Sequence, residues 1–119
     1  MPISIQELSD EVVEVKLSGK IHSSDYDEFV PGIEAIIERV GQLRLLMIME
    51  DFHGWDLGAV WQDTKFDMKH HADFAKLAMV GEKKWEELMA KVCRPFTGAT
   101  IRYFDKSEEA AARDWIAAD

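Results

Sequence analysis

The chain has one cysteine, three prolines and no unbroken apolar run approaching the roughly 20 residues of a membrane-spanning helix. Cys93 alone cannot close an internal disulfide, and it reads as a small apolar residue near a helix end rather than as a reactive thiol. The opening residues MPISIQEL contain no basic segment followed by an apolar one, so the sequence places the protein in the cytoplasm. Positive charge is also scarce. With 14 lysines and arginines against 23 aspartates and glutamates, the net charge is −9. That field repels phosphate backbones, which excludes nucleic acid as a partner. It also repels anionic headgroups, so membrane association is at most peripheral and transient, and rests on apolar side chains.

What is present is the composition of a folded domain: 47% hydrophobic and 31% charged residues in 119 positions, enough for one core and one domain spanning 1–119. ISIQEL and VVEVKLSG are β-rich runs joined by Ser9-Asp10-Glu11 at a hairpin turn. In the second run Val13, Val15 and Leu17 alternate with Glu14, Lys16 and Ser18, which predicts one face in water. From Tyr26 to Val40 apolar residues recur at helical spacing, with Asp25 and Glu28 as a capping box and Gly41 as the stop. Pro31 predicts a kink or a short leading turn.

LRLLMIM and FAKLAMV are nearly continuous in apolar side chains, as strands covered on both faces are. Between them the spacing predicts a helix over 57–72 with Leu57, Val60, Trp61, Thr64, Met68 and Ala72 turned inward. A further helix follows Gly81, with Trp85, Leu88, Met89 and Val92 as its stripe. ATIRYFD is then a strand and SEEAAARDWIAAD a closing helix capped by Asp105 or Ser107. The order ββαβαβαβα implies an α/β fold: a mixed, mainly parallel sheet of about five strands with four helices.

The segments DYDEFVPGIEAIIERVGQLRLLM and WDLGAVWQDTKFDMKHHADFAKLAMVGEKKW, with Trp61-Gln62-Asp63-Thr64-Lys65, His70, Ala78-Met79-Val80-Gly81 and Trp85 as the most specific pieces, resemble the bacterial SpoIIAA-like proteins. That resemblance implies the STAS fold, related in architecture to the CRAL-TRIO lipid carriers. It implies a non-enzymatic binding or regulatory module. Better-studied STAS proteins antagonise anti-sigma factors through a serine phosphorylated at the start of the helix after the third strand. Here that place is MEDFHGWD, and no serine, threonine or tyrosine stands between Met49 and Gln62, so the phosphoacceptor is missing. Asp56 there is expected to be a helix N-cap.

Three constellations are candidate sites. Glu50, Asp51, His53 and Asp56 sit where parallel strands present loops to ligands, yet no serine or cysteine nucleophile stands beside the imidazole, so no catalytic residue is assigned. Asp63, Asp67 and His70 share one side of the 57–72 helix, a weak metal set without matching ligands on a second helix. The aromatic set carries most weight. Phe66 lies about 180° from Leu57 on the helical wheel and is expected to point outward. Together with Phe52 and Trp55 it would border an apolar groove with Trp61, Met68, Met79, Trp85 and Met89 inside and Gly54 and Gly58 as hinges. The resulting expectation is a small apolar ligand or lipid tail held beneath a mobile helix 57–72. The rival is a STAS-type protein-interaction surface for a homodimer or a regulatory partner. Neither reading calls for a cofactor.

Overall fold

The structure, a computed structural model, describes residues 3–9, 11–70, 72–82 and 100–118, without the side chains of Val60, Asp63, Thr64, Asp67 and Met68. Strands β1 (Ile3–Glu7) and β2 (Val12–Ile21) form an antiparallel hairpin in which Ile3 stands opposite Leu17 and Glu7 opposite Val13. Leu8 N–H closes the turn on the Val12 carbonyl at 2.9 Å. Asp10, the middle of the expected turn, lies outside the described residues. β3 (Leu43–Trp55), β4 (Phe74–Gly81) and β5 (Thr100–Asp105) then add in parallel, giving a five-stranded sheet in the order β1-β2-β3-β4-β5. The α/β architecture and mainly parallel sheet are those expected.

Three helices are present among the described residues: α1 (Tyr26–Val40), α2 (Leu57–Lys69) and α3 (Glu109–Ala117). The helix expected after Gly81, with Trp85 and Met89, lies outside them. Consecutive strand residues point to opposite faces, so LRLLMIM serves two cores at once. Leu45 and Met49 join Val13, Val15, Leu17, Met79 and Ile101 on the face covered by α1 and α2. Leu46 and Ile48 join Val12, Ala78, Val80 and Phe104 on the face covered by α3 through Ala112 and Ile116.

That second core corrects the expected wet face of β2 at one position, since Lys16 and Ser18 are exposed as expected and Glu14 is not. Glu14 is buried, and Arg113 of α3 donates its Nη2–H to the Glu14 Oε1 at 2.8 Å while also reaching Glu109 at 3.1 Å. The C-terminal carbonyls of α3 are held by cations from the sheet, which complements the negative end of the helix. Arg44 donates to the Ala117 and Ala118 carbonyls at 3.0 and 2.9 Å, and Lys76 to those of Trp115 and Ala118 at 3.1 and 2.7 Å.

α1 begins with a 3-10 turn at Ser23–Asp25, the leading turn expected ahead of Pro31, which lies inside the helix. The cap differs from the expected Asp25 and Glu28 pair. Asp25 instead reaches back, its Oδ2 accepting the His22 N–H at 2.7 Å. Gly41, at φ 91°, ends the helix with its N–H on the Ile37 carbonyl at 2.7 Å, a conformation that a residue with a Cβ adopts at a cost.

Candidate functional site

MEDFHGWD is no open loop. β3 continues through it to Trp55, paired with β2, but gains residues on the way: Leu17 faces Met49, Gly19 faces Phe52, Lys20 faces Gly54 and Ile21 faces Trp55. The extra residues are taken up in bulges with Asp51 at φ 50° and Gly54 at φ 95°. Gly54 is therefore explained by backbone conformation at a bulge. The extension carries Asp56 to the end of β2, where its N–H donates to the Ile21 carbonyl at 2.9 Å.

Asp56 is the N-cap of α2, as expected. Its Oδ1 accepts the Ala59 N–H at 2.8 Å, and its Oδ2 accepts Nδ1–H of His22 at 2.7 Å. The helix N–H and, after it, the imidazole hold the carboxyl of Asp56 below the usual carboxylate range. Next to it Gly58 lets α2 press on the 3-10 turn, for a Cβ there would meet Ser23 Cβ at 3.1 Å and Oγ at 3.2 Å. His22 and Ser23 were not among the sequence-level candidates. The signal for them is topological: parallel neighbours end side by side, so residues after Ile21 face residues after Trp55.

α2 lies the other way round from its expected orientation. Leu57 is 90% and Trp61 64% exposed, while Ala59 and Phe66 are buried. Phe66, expected outward, packs on Phe29, Phe74 and His70 with ring centroids 5.8, 6.0 and 4.7 Å away. Phe29 meets Tyr26 edge-on at 5.8 Å, Trp55 donates its indole N–H to the Tyr26 hydroxyl at 2.9 Å, and Phe52 meets Trp55 at 4.8 Å. Phe52, Trp55 and Phe66 thus belong to one filled aromatic layer beneath α1 and α2 rather than to the rim of an open groove. Met79 is buried in the same core. Asp63, Asp67, Met68, Trp85 and Met89 lie outside the described side chains.

His70 is buried at the C-terminal end of α2 and meets a carboxylate with each ring nitrogen: Nδ1 with Asp73 Oδ2 at 2.6 Å and Nε2 with Glu34 Oε2 at 2.9 Å. With both nitrogens so engaged, the ring ties α1 to α2 and to the start of β4. Glu34 also accepts from Lys69 at 2.7 Å, and these two contacts, lysine first, hold its carboxyl below the ordinary value of 4.5. A depressed carboxyl stabilises the fold above its unfolded value and loses that contribution as pH falls through the folded one. The stability gap between wild type and Glu34→Gln is therefore expected to be widest near neutrality and to close below about pH 4.5, read by thermal melts across pH. A gap independent of pH would show that packing alone is involved.

His53, which an enzyme reading would pair with a carboxylate, is exposed at the β3 bulge. At this end of the sheet the imidazole that meets a carboxylate is that of His22, on a surface where Asp56 is already committed to the helix cap.

A sequential, mostly parallel sheet with a capped helix rising from the end of its central strand is the STAS-like class of α/β domain. Residues 12–117 match the SpoIIAA-like family, and the chain belongs to it. It is similar in structure to an uncharacterized protein of the DUF3478 family with a SpoIIAA-like fold from Shewanella loihica PV-4: TM-score 0.82, 25% identity, 97% of this chain and 92% of that one covered. The anti-sigma factor antagonist SpoIIAA in its unphosphorylated form shares the fold at TM-score 0.57 and 17% identity, over 95% of this chain and 97% of that one. No functionally curated protein matches. The family is one of regulatory or interaction modules and is generally non-enzymatic. No helix among the described residues is long and apolar enough to cross a membrane.

Proposed function

We propose that this protein is a non-enzymatic interaction module that docks a regulatory partner protein on the outer face of α2. The observation that carries this reading is the exposure of Leu57 and Trp61, four residues apart and so on one side of the helix. A tryptophan and a leucine left in water at this spacing are anchors of the kind a helix sets into an apolar cleft. The helix presenting them is held at its start by Asp56 and at its end by His70, so little order has to be gained on docking. The net charge of −9 favours a partner of positive charge and opposes a second copy of the chain. It also opposes an anionic membrane surface, which leaves peripheral membrane contact to the same two side chains.

The alternative, an apolar ligand or lipid tail beneath α2, requires the helix to lift from the aromatic layer, because Phe52, Ala59 and Phe66 fill the space under it. Native mass spectrometry of protein purified without detergent separates the readings. The expected spectrum is that of one bare chain. Added mass in the range of a lipid would overturn the docking reading in favour of the ligand. A dimer at low micromolar concentration would replace the basic partner with a second copy.

A further inference from the structure

The free edge of the sheet carries a second feature, separate from α2. β1 is the outermost strand, and between it and the start of α1 opens a cavity of about 590 Å³. Ile3, Ser4 and Ile5 all line it. Side chains of successive strand residues point to opposite faces, so a cavity lined by all three is bounded by the strand's backbone as well as by side chains. On the free edge alternate residues turn N–H and C=O groups away from β2, with no strand beyond them among the described residues.

The opposite wall is α1. Phe29 provides an apolar surface, and Asp27 and Glu28 stand exposed above it. Among the described residues neither carboxylate forms an ion pair, and no lysine or arginine lines the cavity. Further along the helix the cleft closes, because Gly32 lets α1 approach β1 until a Cβ there would stand 3.2 Å from Ile5 Cδ1.

An unpaired strand edge, an apolar floor and a carboxylate rim specify an occupant. We infer that this cleft accepts an extended peptide segment of a partner protein that alternates apolar and basic residues and adds to β1 as a sixth strand. Its main chain bonds the β1 edge, every second side chain enters the floor at Ile3, Ile5 and Phe29, and its lysines or arginines meet Asp27 and Glu28. The edge is short, at five residues, and Glu7 at its far end is tied to Arg39. The added segment is therefore equally short and its binding depends on salt. This surface is distinct from the docking face proposed on α2, and either can fail without the other.

The test uses the whole protein and the peptide acetyl-Val-Lys-Val-Lys-Val-amide, read by amide chemical-shift changes. Saturable shifts are expected at Ile3–Glu7 and Asp27–Phe29, with Leu57 and Trp61 unmoved. Methylating alternate backbone nitrogens of the peptide, which leaves the protein untouched, is expected to weaken binding about tenfold by removing strand hydrogen bonds. Asp27→Asn with Glu28→Gln is expected to weaken it several-fold and to flatten its salt dependence. Equal binding of the methylated peptide, shifts centred elsewhere, or no saturable binding up to about 1 mM peptide would each overturn the inference.

Discussion

Phe66→Ala is expected to destabilise the protein by about 3–5 kcal/mol, the range for emptying a buried aromatic position. Three rings would lose their neighbour at once: Phe29 from α1, His70 from the end of α2 and Phe74 from the start of β4. The site cannot collapse easily, since the rings around it are fixed by other contacts, Phe29 by Tyr26 and His70 by two carboxylates. A fall this large would leave a small domain near its unfolding threshold. The comparison that gives the result meaning is Trp61→Ala, one turn and a half away on the outer face, for which denaturant melts should change by no more than about 0.5 kcal/mol. The reverse ranking would place Phe66 outside and Trp61 inside, and with it the aromatic layer would dissolve as an explanation.

Arg113→Ala is expected to cost about 2 kcal/mol by leaving the Glu14 carboxylate buried and uncompensated. The figure sits below that for breaking a fully buried pair because the Arg113 side chain remains 39% exposed and water screens part of its charge. Glu14→Leu combined with Arg113→Met should recover most of the loss, since an apolar pair of similar volume removes the stranded charge. Recovery separates a charge effect from the loss of the arginine's packing against the sheet. A double variant as unstable as Arg113→Ala would assign the cost to packing instead.

The strands were legible because two-sided burial needs unbroken apolar runs, and LRLLMIM and FAKLAMV are such runs. The start of α2 was legible as well, since Asp56 is a residue type whose carboxylate reaches the free N–H groups of a first turn. The orientation of α2 was not. Both its faces carry large apolar side chains, Leu57 and Trp61 on one and Phe66 on the other, and spacing alone favours the face with more of them. What settles the matter is Phe29 from α1 and Phe74 from the start of β4, which pack against Phe66.

Glu14 departs from its sequence pattern for a related reason. Its alternation with valines is that of a strand facing water, and the arginine that permits its burial lies 99 residues further on. His70, a member of the weak helical metal set, meets Asp73 and Glu34 with its two nitrogens. Arg113 and Glu34, far along the chain from the residues they hold, are invisible to periodicity.

The anchoring of a protein partner by Leu57 and Trp61 is what gives the domain its proposed function. It is tested most directly by placing a photo-reactive benzoyl-phenylalanine at position 57 or 61, and at the exposed control Glu38, in living cells, then measuring the affinity of the cross-linked partner after purification. One partner is expected to be captured from positions 57 and 61 and not from 38, and Trp61→Ala to weaken the purified complex by about 30-fold or more. Capture of the same proteins from all three positions, or an affinity unchanged by Trp61→Ala, would contradict it.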